Sequence, residues 1–396
     1  MYFFMETKPK RISPFVPITL GTLSAFGPFV TDFYLPVMPE MAEYFSTSTA
    51  LVSASLTMSM IGLALGQILI GPLTDKYGRK KILLGSLLLF IVSTILLLCS
   101  KDIHFLNLMR LFQGFGGAGG IVIAKSMATD LYTGDDLVKF MALLGAIGGV
   151  APVAAPVLGG VMTYITNWKG LFAILLALGV VLFVCSFFLK ETLQPSLRDK
   201  RPVMNVYANL FKVLKNPIFV TSTLSIMFAM FTFFAYISSS SFIIEQSYGL
   251  SPLVYSICLG INAVVISVGC AVSAKFKDMT HCLKIAGIGV CVAVVLIATA
   301  LLTKQGIVPL MCAYLLFMLF YGMLQAITNA TALDSERDNA GAASAIFGAA
   351  GFVAGAVASP LVGLGELHLS TSLTMLAGGL LCMVFTFAMI PALRKR

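Results

Sequence analysis

Gly71-Pro72-Leu73-Thr74-Asp75-Lys76-Tyr77-Gly78-Arg79-Lys80-Lys81 is the stretch that decides the fold of this chain. Apolar runs flank it, at about residues 49–70 before it and 82–99 after it. Each is long enough to cross a bilayer, which takes about 20 apolar residues. The stretch therefore reads as a short basic hinge between two membrane helices. Its four cations, Lys76, Arg79, Lys80 and Lys81, place it on the cytoplasmic face, where membrane proteins concentrate positive charge. Composition alone makes it a tight turn with topology-setting charges. The regular spacing G-x-L-x-D-x-x-G-R-K carries more than composition does.

Hydrophobic residues make up 58% of the 396, charged residues only 11%, and the mean hydropathy is +0.96. A soluble chain of this length needs far more polar surface, so this is a polytopic membrane protein. Twelve apolar segments follow one another, near 15–38, 49–72, 82–99, 104–128, 139–163, 168–189, 217–243, 252–274, 283–303, 307–332, 341–363 and 371–391. The expected fold is an all-α membrane protein of twelve transmembrane helices. With the N-terminus inside, all but five of the 26 lysines and arginines fall on cytoplasmic segments. Lys101, Lys169 and Lys304 lie outside, and Arg110 and Lys125 lie within helices. That asymmetry sets both termini in the cytoplasm. Met1 to Arg11 has the charge of a signal peptide, but the apolar run after it is too long and lacks a small-residue cleavage site. It reads as an uncleaved first helix.

The net charge of +9 is spread over alternate loops rather than gathered in basic tracts with stacking aromatics, which argues against nucleic acid. The eight cysteines are irregularly spaced in or beside apolar segments, without a CxxC or Cys/His pattern. Neither a metal nor a disulfide framework is expected. His104, His281 and His368 stand apart near segment ends, so no nucleophile–base set for an enzyme emerges. A P-loop is missing too, so neither a cofactor nor ATP drive is expected.

A polar linker near 191–216, with Arg198, Lys200, Arg201, Lys212 and Lys215, divides the chain into residues 1–190 and 217–396. The halves read as distant repeats. Ser273 to Lys284 sits where the basic hinge sits in the first half, as a decayed copy of it, and glycine-rich segment eleven mirrors segment five. Two pseudo-symmetric six-helix bundles around a midplane site are the expected arrangement.

Asp32 is the only acid of the first segment. A carboxylate in hydrocarbon costs several kcal/mol (roughly 3 on insertion scales), so such acids mark ion or proton paths. The alternative is a helix-end acid facing outside water. Arg110 is the matching cation; guanidinium does not release its proton, so its role is to tune Asp32 or to bridge to the first helix. Gln113, one turn on, is a partner for substrate or for a neighbouring helix. Lys125 reads as a side chain reaching to the inner interface. The fifth segment, Gly145-x-x-Gly148-Gly149-Val150-Ala151-Pro152-x-x-Ala155-Pro156-x-x-Gly159-Gly160, combines kinks with small residues for close packing. Aromatics Phe231, Phe233, Phe234 and Tyr236, with Met58, Asn262, Tyr321, Gln325 and Asn329, supply an apolar pocket with a few polar groups. Met58, Gln113, Tyr236, Asn262, Gln325 and Asn329 are the candidate substrate contacts.

The hinge spacing resembles the signature loop between helices 2 and 3 of the major facilitator superfamily. The run L-x-x-x-R-x-x-Q-G-x-G-G-A from Leu106 to Ala118 resembles its fourth-helix motif, associated with proton transfer in antiporters. The fifth segment resembles its antiporter motif, with Ala155 in place of a glycine. Asp32 with Tyr34, Pro36 and Pro39, the run Asp130-Leu131-Tyr132 and Lys190-Glu191-Thr192 narrow the resemblance to the bicyclomycin/chloramphenicol-resistance branch of drug:proton antiporters. The likeness spans the chain and is densest over residues 14–195.

That resemblance implies a monomeric, multi-pass protein of the bacterial cytoplasmic membrane. It would export small lipophilic compounds against inward protons by alternating access, with Asp32 and Arg110 coupling the proton. It also implies a conformational gate of Gly71, Asp75, Gly78, Arg79 and Asp130, with Asp75 capping the start of helix 11. Gly145, Gly149, Pro152, Pro156, Gly159 and Gly160 would seal one side of the cavity. A proton-coupled metabolite importer or a non-transporting receptor on the same scaffold are the alternatives. With Asp32 the one clear intramembrane acid, a single exchangeable proton is expected; Glu245, read as interfacial, is the acid that would supply a second site.

Overall fold

The computed structural model describes residues 13–132, 134–198, 212–336 and 340–394. The first twelve residues, the middle of the linker (199–211, with Lys200 and Arg201) and residues 337–339 before helix 11 lie outside them, as do 133 and the last two residues. The described residues form twelve long helices: α1 Phe15–Asp32, α2 Thr49–Tyr77, α3 Arg79–Leu98, α4 Ile103–Leu131, α5 Gly134–Met162, α6 Trp168–Phe188, α7 Pro217–Ser241, α8 Pro252–Ser273, α9 Met279–Leu302, α10 Ile307–Ser335, α11 Ala340–Leu361 and α12 Leu367–Arg394. Nine helices among the described residues are long and apolar enough to cross a membrane by length and composition. α1 and α4, the helices of Asp32 and Arg110, are not among the nine.

Polar side chains start many of these helices. Asp102 accepts from the His104 and Phe105 N–H groups at 2.9 and 3.0 Å, and Ser48, Asn167, Asn216, Ser251 and Asp278 cap α2, α6, α7, α8 and α9. Such a cap satisfies N–H groups left free in the first turn, which lipid cannot do.

Three boundaries differ from the sequence expectation. The basic hinge is almost wholly helical: α2 runs through Pro72 to Tyr77, α3 starts at Arg79, and the turn is the single residue Gly78. Its φ of 99° suits glycine, and a Cβ there would run into the Glu191 carboxylate and the Arg198 guanidinium. The first apolar segment breaks at Asp32. Pro36 and Pro39 prevent a continuous helix, so a 3-10 turn (Leu35–Val37) and a short helix (Met38–Tyr44) follow. Asp32 is thus the last residue of α1, with its side chain at a helix end. Finally, α7 runs on past the expected end into a π-helical turn, Phe242–Ser247.

Helix pairs repeat with a shift of six. α2 packs on α4 as α8 packs on α10, α3 on α4 as α9 on α10, α3 on α6 as α9 on α12, and α1 on α5 as α7 on α11. Glycines make the closest approaches. In the first half Gly62 faces the Leu111 carbonyl and Gly114 the Ser59 carbonyl; in the second, Gly269 faces Leu319 and Gly322 faces Ile266. Small residues let backbones meet where lipid supplies no hydrophobic drive. The halves join through α2 with α11 and α5 with α8. At the end of the bundle remote from Gly78, here the far end, Gly363 backs onto Ala50 and the Ser359 hydroxyl donates to the Ser53 carbonyl at 2.9 Å. Gly160 backs onto Ser256 and Pro252 there as well.

Candidate functional site: a central cavity

Between the halves lie two adjoining cavities of about 350 and 920 Å³ that share Asp32, Pro152, Phe233, Ala263 and Ile266. α1 ends at the cavity wall, so its terminal residue points a carboxylate into the space. Pro152 and Pro156 of α5 face it from the same half. α7, α8, α10 and α11 close the other side with Phe233, Ala263, Tyr321, Gln325 and Phe352. The Phe233 and Tyr321 rings stack at 5.0 Å, 2° from parallel, as one flat aromatic surface. Neither cavity is lined by a lysine or arginine among the described residues, and Asp32 is the one formal charge there. Among the described residues Asp32 has no ion-pair partner.

Arg110 is fully buried on the other side of α1. It donates to the Val30 carbonyl (3.0 Å), the Ser55 carbonyl (3.4 Å) and Gln113 Oε1, and its guanidinium carbon sits 4.4 Å from the Tyr34 ring centroid and 5.4 Å from that of Phe172. A buried cation is tolerable only when its donors are taken and its face covered. The Tyr34 hydroxyl shares a hydrogen bond with Ser55 at 2.9 Å. Arg110 therefore reaches α1 through the backbone two residues before Asp32 instead of pairing with the carboxylate. Gln113, whose amide donates to Thr94 Oγ1 at 2.8 Å, is fully buried in this web. This corrects its place as a substrate contact: its hydrogen-bonding capacity holds Arg110.

The remaining candidates separate by position. Tyr236 and Asn262 line the smaller cavity, joined by an Asn262 Nδ2 to Tyr236 hydroxyl bond of 2.6 Å. Gln325 lines the larger one. Met58 and Asn329 do not line either, which corrects them as cavity residues. Asn329 is on nearly the same face of α10 as Gln325 but one turn further along, past the cavity lining, and its side chain is exposed. On α5, Gly159 backs onto the Phe33 carbonyl and Gly160 onto Ser256, while Gly145 and Gly149 lie within the same helix. Ser267 and Cys270 were missed; with Ala263 and Ile266 they form one face of α8, a spacing of three and four that the sequence does contain.

At the hinge Arg79 pairs with Asp75 and, at 3.1 Å, with Asp130. Its guanidinium also donates to Thr74 Oγ1 at 2.7 Å. The stretch after α6 completes this cluster: Glu191 Oε1 accepts the Arg79 backbone N–H at 2.9 Å, and Thr192 Oγ1 donates to Asp130 at 2.7 Å. Glu191 and Thr192 thus belong to the hinge, a role beyond the resemblance that first singled them out. At Gly71, two turns before Gly78, an added Cβ would make ordinary contact with Val122. The expected cap of Asp75 on helix 11 falls on 337–339, outside the described residues. At the far end Glu40 accepts from the Trp168 N–H at 3.3 Å, and burial raises its pKa above the ordinary glutamate value against that bond.

A helical membrane bundle with repeated halves and a central apolar cavity containing one acid has the build of a solute transporter. The chain belongs to the Major Facilitator Superfamily, whose family model matches residues 20–360. It is 34% identical over 353 residues to the uncharacterized MFS-type transporter YdgK of Bacillus subtilis, covering 88% of each chain. It is 27% identical to the bicyclomycin resistance protein homolog of Haemophilus influenzae, covering 87% of this chain and 88% of that one. Its fold matches the inward-facing, occupied bacterial homolog of the human lysosomal transporter Spinster with a TM-score of 0.72, at 17% identity, covering 98% of this chain and 96% of the other. It is a multi-pass membrane transporter of the branch that includes bicyclomycin-resistance relatives.

Proposed function

We propose that this transporter exports small lipophilic compounds in exchange for protons, with Asp32 as the proton site. The observation that carries the reading is a carboxylate at the end of α1, facing a largely apolar, aromatic cavity with no cation among the described lining residues. An unpaired acid in such a place gains by binding either a proton or a cationic or hydrogen-bonding solute, and the two compete for it. The name of the Haemophilus relative supports an antibiotic as cargo. The flat Phe233–Tyr321 surface suits planar apolar groups, and Met230 adapts to differing shapes. The charge distribution of the loops supports a cytoplasmic hinge, with both termini inside the bacterial cytoplasmic membrane. In this reading the protein works as a monomer with lipid, proton and solute as its only partners.

Transport in proteoliposomes under an imposed pH gradient tests it. The expected outcome is uptake of a chloramphenicol-like compound or a lipophilic cation against protons, lost in Asp32→Asn. Flux in the same direction as protons would make the protein an importer, and undiminished coupled flux in the variant would remove Asp32 from the mechanism.

A further inference from the structure

Buried polar atoms with nothing to bond run through the second half from the cavity to the far end. Ser238 Oγ, Ser241 Oγ, Glu245 Oε1, Asn262 Oδ1 and Tyr314 Oη all lack a partner among the described residues. Leaving such groups dry costs about 1–3 kcal/mol each, so a membrane protein that keeps them along one route has a use for water or protons there.

They connect. Asn262 and Tyr236 line the same small cavity as Asp32 and are bonded to each other. The Tyr236 and Tyr314 rings lie 4.5 Å apart. Ser240, one turn along α7 from Tyr236, meets the Tyr255 hydroxyl at 3.2 Å. Tyr255 is fully buried on α8, which packs against the π-helical turn that carries Glu245. Glu245 sits half-buried in the π-helical turn, a geometry frequent at functional sites, and the residues after it, Gln246 and Ser247, are exposed. The groups around it are acidic or weakly acidic. Tyr255 and Cys258 belong to the neighbouring α8, Tyr248 directly follows the π-helical turn, and the short helix packed on the turn carries Glu40, Glu43 and Tyr44. No lysine, arginine or histidine pairs with Glu245 among the described residues.

We infer that Glu245 is a proton relay between far-end solvent and Asp32, through a hydrated path along Ser241, Ser240, Tyr255, Tyr236 and Asn262. A proton taken up by the Glu245 carboxylate passes along hydroxyls and water to the Asp32 carboxylate, which regenerates Glu245 as the anion. The relay rests on Asp32 being the coupling site, and adds to it an acid contributed by the other half of the molecule. The number of protons moved per cycle stays at one.

The test uses the full chain in proteoliposomes with a lipophilic cation as probe. In Glu245→Gln, flux driven by the pH gradient is expected to fall at least about tenfold, a discount on the ~100-fold a positioned proton-transfer group commonly supplies. Exchange of labelled for unlabelled probe without a gradient, which needs no net proton movement, stays at the wild-type rate, and Glu245→Asp restores coupled flux. Coupled flux in Glu245→Gln equal to wild type, with Asp32→Asn still inactive, overturns the relay alone. Absence of proton-coupled flux in the wild type overturns the functional reading first. A second measurement does not depend on the variant folding: a hydrophobic carbodiimide, which adds to protonated carboxyls, is expected to label both Glu245 and Asp32 in the wild-type chain. Labelling of Asp32 without Glu245 across the pH range overturns the proposal.

Discussion

At the scale of single residues, the most informative contrast is between Asp32 and Arg110. Opposite charges on nearby helices invite the reading of an ion pair, yet α1 separates them: one faces the cavity, the other donates to the backbone of α1 and α2. Arg110 is held by geometry as much as by charge, since its planar fork reaches three acceptors while its face lies on Tyr34. Lysine keeps the charge and loses the fork. Arg110→Lys is therefore expected to lower transport about tenfold or more, through the loss of charge-assisted hydrogen bonds of ~1.5–3 kcal/mol each; initial rates in proteoliposomes at equal protein content check this. At the hinge, Asp130 shares Arg79 with Asp75. Asp130→Asn removes one of two anions, and a weakening of ~1 kcal/mol predicts about fivefold faster maleimide labelling of Cys270 in the cavity. Peptide mass spectrometry distinguishes Cys270 from the other seven cysteines.

At the scale of helices, glycine placement sets how closely α2 and α4 pack. Gly114 faces the Ser59 backbone, so a side chain there must push the two helices apart, while a Cβ added at Gly85 on α3 would meet nothing within 4 Å. Gly114→Val is expected to destabilise the detergent-solubilised protein by about 1–3 kcal/mol and Gly85→Val by much less. Thermal unfolding of the two variants side by side tests the contrast; equal shifts would refute it. Helix existence was legible throughout, because runs of apolar residues bounded by polar caps leave little choice in lipid. Helix ends were less so. The hinge looked like a loop because its glycine, proline and charges are loop-formers, yet Pro72 is accommodated within α2 and only Gly78 leaves the helical conformation. The π-helical turn after Ser241 had no sequence signal, since Phe242 to Ser247 would serve equally in an α-helix.

At the scale of the whole molecule, the far end joins the halves where Gly363 meets Ala50 and Ser359 meets Ser53. If solute leaves by alternating access, these surfaces must separate in each cycle. The pair Ala50→Cys and Gly363→Cys brings two thiols together across this closure, the helices parting slightly to make room for the added Cβ at Gly363 and so approaching disulfide spacing. Oxidation is expected to abolish net transport and a reductant to restore it, with cavity binding retained in the oxidised protein. Full transport by the cross-linked protein would exclude opening at this end.

Sequence by itself determined the class: composition required a bilayer, segment lengths and charge asymmetry set twelve helices, and two spaced motifs brought the chain to its superfamily. It also singled out Asp32 and Arg110, because ionisable groups in apolar segments are too costly to be incidental. What faces what was decided only by the tertiary structure. A helix presents all its faces in sequence, and which one meets the cavity depends on rotation set by packing against neighbours. Hence Gln113 and Asn329, equally polar and equally eligible on paper, turned into an internal brace and an exposed amide, while Ser267 and Cys270 came to face the cavity. The association of Glu191 and Thr192 with a hinge over a hundred residues earlier has the same origin: their bonds to Arg79 and Asp130 exist only once six helices have folded back on one another.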